Sequence, residues 1–122
     1  MVALLCVALV LAMASFGYGS AEPVLDDAPV TVTADAGRVA TLPCPLMSKG
    51  RYRVVWKDPS STWLTFDSKV LVEDSRLSIH QTQPSQWDLR IDWVRQSDQG
   101  TYTCVVNTHP MMTKTVSLVV AG

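Results

Sequence analysis

Asp98-Gln99-Gly100-Thr101-Tyr102-Thr103-Cys104 decides the fold once it is set beside Cys44 and Trp56 upstream. Side chains alternate across an extended strand, so Tyr102, Cys104 and Val106 share one face, and Thr103, Val105 and Asn107 share the other. The same period of two groups Ala40 and Leu42 with Cys44, and Val54 with Trp56. The sulfurs mark which face is inner. Each feature alone is common, but their order and spacing together are specific.

This constellation is identified as that of an immunoglobulin domain. The resemblance implies an all-β, variable-type β-sandwich with one inter-sheet disulfide, Cys44 to Cys104. Trp56 then packs on the sulfurs and Tyr102 hydrogen-bonds back to the corner before it. Leu89 joins them in the core by its alternation with Trp87 and Ile91. Arg76 and Asp98 stand where variable-type domains often carry a salt bridge across the base of the sandwich, which reads as structural.

Val2 to Ala14 is almost purely apolar and runs into Gly17, Gly19, Ser20 and Ala21 before the first charge, Glu22. This reads as a secretory leader over residues 1–21, cleaved after Ala21, with the immunoglobulin-like domain over 22–122. No Lys or Arg precedes the apolar run, so an uncleaved anchor is the alternative. Cys6 departs with the leader, and the two cysteines left in a secreted chain pair. A loop that long gives the bridge roughly 4 kcal/mol in the chain-entropy model.

The 122 residues carry a formal net charge of −1 with Lys and Arg scattered, which argues against nucleic acid. His80 and His109, the only histidines, stand in no ligand cluster, so no metal or cofactor is expected. Nothing assembles a nucleophile, base and orienting group, so neither an enzyme nor a small-molecule substrate is expected. Asn107 heads no glycosylation sequon because His109 fills the position that needs Ser or Thr. The localisation expected is secreted or on the extracellular face of the plasma membrane, with membrane contact only through a segment absent from this chain.

Turn residues separate short β-rich runs. The expected strands are A at 30–33, B at 38–44, C at 52–57, C′ at 63–66, C″ at 70–72, D around Leu77 and Ile79, E around Trp87, Leu89 and Ile91, F through Cys104, and G at 114–120. Val116, Leu118 and Val120 fill the core while Thr115, Ser117 and Val119 face out. Val55 and Val105, with Trp63, Leu64 or Phe66, then form an apolar strip on the outer face of the G-F-C-C′ sheet. On a secreted domain such a strip marks a protein interface.

Trp87-Asp88-Leu89-Arg90-Ile91-Asp92-Trp93, the Asp98-x-Gly100-x-Tyr102-x-Cys104 run and Asn107-Thr108-His109-Pro110-Met111 together resemble one cell-surface group. Its members are the insect defective-proboscis-extension-response receptors, their immunoglobulin partners, lachesin and the vertebrate IgLON adhesion proteins. The resemblance implies pairing of first domains through the G-F-C-C′-C″ face, with a second copy or another immunoglobulin-superfamily protein. The positions that match the partner-binding face are Val55, Lys57, Leu64, Val105, Asn107, His109 and Met111. The alternative function is a secreted immune-type or soluble decoy module working through its end loops. Lys49-Gly50-Arg51 and the 107–112 turn lack the Tyr and Ser richness of such a paratope.

Overall fold

The computed structural model describes residues 22–122; the leader expected over 1–21, with Cys6, lies outside the described residues. Eleven strands run β1 Val24–Leu25, β2 Val30–Asp35, β3 Ala40–Leu42, β4 Leu46–Met47, β5 Val54–Lys57, β6 Thr65–Phe66, β7 Lys69–Val70, β8 Leu77–His80, β9 Asp88–Ile91, β10 Gly100–Val106 and β11 Met112–Ala121. They form the two packed layers of the variable-type sandwich. The front sheet has the order β2-β11-β10-β5, and the back sheet β3-β9-β8. The β6–β7 hairpin extends the front sheet through a bridge from Lys57 to Trp63.

The chain enters on one layer and continues on the other. β1 pairs antiparallel with β4, then β2 pairs parallel with β11. Alternation in the sequence predicts a single first strand at 30–33. The structure shows a crossover instead, and Asp26, Asp27, Ala28 and Pro29 make the step. The second expected strand, 38–44, is paired only over β3, Ala40–Leu42; Pro43 and Pro45 interrupt the ladder because proline withdraws its donor, and β4 starts beyond them at Leu46.

Ala40, Leu42, Cys44, Trp56, Leu89, Ile91, Cys104, Val106, Val116 and Leu118 form one buried cluster between the layers. Cys44 and Cys104 are bonded across it, with 60 residues between them in sequence. Trp56 is fully buried, and its indole Nε1 donates to the Trp87 carbonyl at 2.8 Å. The Tyr102 hydroxyl donates to the Asp98 carbonyl at 2.6 Å. Gly100 between them has φ +146°, and a Cβ there would stand 2.6 Å from Pro59 Cγ, so both torsion and space require glycine. Each fixed residue of the Asp-x-Gly-x-Tyr-x-Cys run therefore has its own physical task.

Candidate functional site

The front sheet's outer surface is assembled by register. On β10, Val105 stands between Val55 of β5 and Thr113 of β11, while Thr103 stands between Lys57 and Thr115. Cross-strand partners present the same face, so these six side chains form one patch. Lys57 leads onward to Trp63, and Phe66 is paired with Lys69 across the hairpin. The Arg53 guanidinium lies over the Phe66 ring, 5.6 Å from its centroid.

Val55 and Val105 sit on the expected outer face, outside the core cluster, yet each is only 7% exposed. The open valine strip is therefore corrected: opposed valines cover one another and their neighbours close over them. Leu64 is corrected more sharply, since it packs in the core at 6% exposure. The cause is a break in the β5–β6 ladder. Trp56 N donates to the Thr65 side-chain oxygen at 3.1 Å, while Leu64 N donates to the Trp56 carbonyl at 2.8 Å. Leu64 and Thr65 are consequently both buried, which breaks the alternation and leaves Trp63 (54% exposed) and Phe66 (40%) outside.

Asp67 organises the hairpin end. Its carboxylate accepts from Arg53 Nη1 at 2.7 Å and from Val54 N at 3.0 Å, and lies 3.5 Å from Lys49 Nζ. Burial alone would raise its pKa. Those hydrogen bonds and the two cations overcome burial and hold it below the ordinary carboxylate value. Lys57 forms no ion pair among the described residues.

Asn107 has a structural task that its residue type did not announce. Its Oδ1 accepts from Arg53 N at 2.7 Å, and its backbone N donates to the Arg53 carbonyl at 3.2 Å. This clamps the end of β10 onto β5. Thr108 Oγ1 donates to the Pro110 carbonyl at 2.9 Å and shapes the following turn, where His109 and Met111 are exposed. Val55, Lys57, Val105 and Asn107 are thus gathered on or beside one surface with Trp63 and Phe66; His109 and Met111 stand at its edge.

At the base, Arg76 bonds Asp98 and Asp74, away from that surface. Lys114, which alternation places with Val116, is only 2% exposed and donates from Nζ to the Ala28 carbonyl at 2.7 Å. It ties the β1–β2 crossover to β11. Parity could have found it, but a lysine at an inward position reads as a surface residue at a strand end.

The sequence profile described as Immunoglobulin V-set domain matches residues 27–121. Cell adhesion molecule 2 of Xenopus tropicalis is 31% identical over 96 residues, which is 77% of this chain and 22% of that protein. The chain thus spans about a fifth of the length of that relative. Among solved structures, the complex of the Dpr1 first immunoglobulin domain with that of DIP-eta matches with TM-score 0.73 and 30% identity, covering 82% of this chain and 96% of the matched one. The RIG-5 first-domain homodimer matches with TM-score 0.69 and 25% identity, covering 84% and 100%.

Proposed function

We propose, from the premise that this chain belongs to the immunoglobulin V-set family, that it is an extracellular recognition domain of cell adhesion. It binds another immunoglobulin domain, or a second copy of itself, through its front sheet. It works as a binding module and not as an enzyme. The observation that carries this reading is the pair of exposed aromatics, Trp63 and Phe66, set beside Lys57, Lys69 and the Val55–Val105 pair on one surface. Exposed aromatics flanked by cations and polar side chains have the composition of an interface centre.

Two similarities support it. The matched relative is named a cell adhesion molecule, and the matched first domains were solved paired with other first domains, once unlike and once like. The contact residues are Lys57, Trp63 and Phe66, with Asn107, His109 and Met111 at the rim; Val55 and Val105 lie beneath them as support, and Leu64 is in the core. A leader over residues 1–21 delivers the domain outside the cell, where Cys44 and Cys104 oxidise.

The test is a clustering assay with beads coated by the domain, alone and mixed with beads bearing the first domain of Cell adhesion molecule 2. Clustering lost on Phe66→Asp supports the reading. Absence of clustering in both mixtures, or clustering indifferent to Phe66→Asp, removes it.

A further inference from the structure

The front-sheet surface carries one sign of charge around its aromatics. Arg53 and Lys57 fall on the outer face with Val55 by alternation, Trp63 is bridged to Lys57, and Phe66 is paired with Lys69. Lys69 is exposed and Lys57 half-buried, and neither forms an ion pair among the described residues. Both ammonium groups are therefore available to a partner.

The carboxylates around them are already engaged or stand elsewhere. Asp67 is shared between Arg53 Nη1 at 2.7 Å and Lys49 Nζ at 3.5 Å, and its side chain is only 18% exposed. Asp58 folds into its own turn, where Oδ1 accepts from Ser60 N and Thr62 N, each at 2.9 Å. Asp35 is exposed on the outer face too, but it ends β2, the strand at the opposite edge, and pairs with Ala121, beyond the level of Gly100. Between them β10 and β11 present Thr103, Thr113 and Thr115, which are neutral. The imbalance is local: residues 49–69 hold five of the ten Lys and Arg but two of the eleven Asp and Glu, in a chain whose net charge is −1.

This charge separates the two occupants that front-sheet pairing allows. A symmetric pair of identical domains sets the same patch on both sides of the contact. Lys57 and Lys69 would then meet aromatics and cations, with no unengaged carboxylate nearby to receive them. Burying an ammonium group without a counter-charge is costly, and like charges opposed across an interface select against the pair. A partner that brings Asp or Glu to the same places turns that penalty into attraction.

We infer, resting on the front-sheet reading above, that this surface takes an unlike immunoglobulin domain whose own face sets acidic side chains around an apolar centre. Lys57 and Lys69 select that partner and keep two copies of this chain apart.

The experiment uses an acidic-faced copy of the domain, Lys57→Glu with Lys69→Glu, as the probe. Sedimentation velocity compares the unaltered domain alone with an equal mixture of the two, at about 0.05 M and about 0.5 M salt. The mixture is expected to form a one-to-one complex at least about a hundredfold tighter than the unaltered pair, roughly tenfold for each opposed charge, and to weaken at the higher salt. Lys57→Gln with Lys69→Gln, which removes the like charges without reversing them, is expected to self-associate more tightly than the unaltered domain. Thermal unfolding of both variants checks that charge, and not folding, is being read.

Self-association of the unaltered domain as tight as the mixture, or no complex in the mixture, overturns the inference. So does a neutralised variant that pairs no better than the unaltered domain. Phe66→Asp tells this failure from that of the reading beneath it. Self-association of the unaltered domain that Phe66→Asp abolishes overturns the inference and leaves front-sheet pairing standing. A mixed complex that Phe66→Asp leaves intact overturns both.

Discussion

Arg76 grips Asp98 with both terminal guanidinium nitrogens, Nη1 to Oδ2 at 2.8 Å and Nη2 to Oδ1 at 3.0 Å. The same carboxylate accepts from Arg95 N at 2.7 Å, while its own backbone carbonyl receives the Tyr102 hydroxyl. One residue therefore joins β8, the turn before β10 and the tyrosine corner. Burial alone would raise the Asp98 pKa, but the bonds from Arg76 and Arg95 and their charges hold it below the ordinary value of 3.8. A carboxylate depressed in the folded state contributes stability above its unfolded pKa and loses it as pH falls through the folded one. Chemical denaturation from neutral pH down past 3.8 should show that loss, and Asp98→Asn should flatten it while costing about 1–3 kcal/mol at neutral pH.

Tyr102 titrates the opposite way. Burial, reinforced by nearby carboxylates such as Asp98, pushes its phenol up to about 12. The neutral form is favoured in the fold, so its contribution is complete below the ordinary value of 10.0 and lost as pH rises towards about 12. Tyr102→Phe should cost about 1–2 kcal/mol at neutral pH by denaturant titration and remove this alkaline loss.

Lys114 presents a buried cation whose loss is cheap. Its acceptor, the Ala28 carbonyl, belongs to an exposed residue that can bond water instead. Lys114→Met should change global stability by less than about 1 kcal/mol, since removing a buried charge offsets the lost bond. Amide exchange in the β1–β2 crossover should quicken in that variant, and unchanged exchange there would refute the tether.

Reducing the Cys44–Cys104 bond opens a loop of 60 residues. Cys44→Ala with Cys104→Ala should cost roughly 4 kcal/mol, much of the net stability of a domain this size. Thermal unfolding of the double variant beside the oxidised protein measures it.

The long strands were legible because alternation survives in them. β10 and β11 run seven and ten residues, and once the sulfur fixed the face of Cys104 every neighbour's side followed. The hairpin was not legible, because a hydroxyl replaces a carbonyl at Thr65 and the parity of Leu64 reverses with no mark in residue type. The step between layers at 26–29 was hidden for a related reason: pairing of β1 and β2 is decided by distant β4 and β11. The near-complete burial of Val55 and Val105 needs the register of three strands, which alternation within one strand does not contain.

Trp63 and Phe66 on the front sheet, and Trp93 (71% exposed) in the corner between β9 and β10, allow the interaction face to be tested directly. Sedimentation equilibrium should be run on the domain alone and mixed with the first domain of Cell adhesion molecule 2, each with Phe66→Asp and Trp93→Ser. Recognition through the front sheet requires association in at least one mixture, weakened about a hundredfold by Phe66→Asp and unaffected by Trp93→Ser. Association that survives Phe66→Asp and disappears with Trp93→Ser, or no association in either mixture, would contradict it.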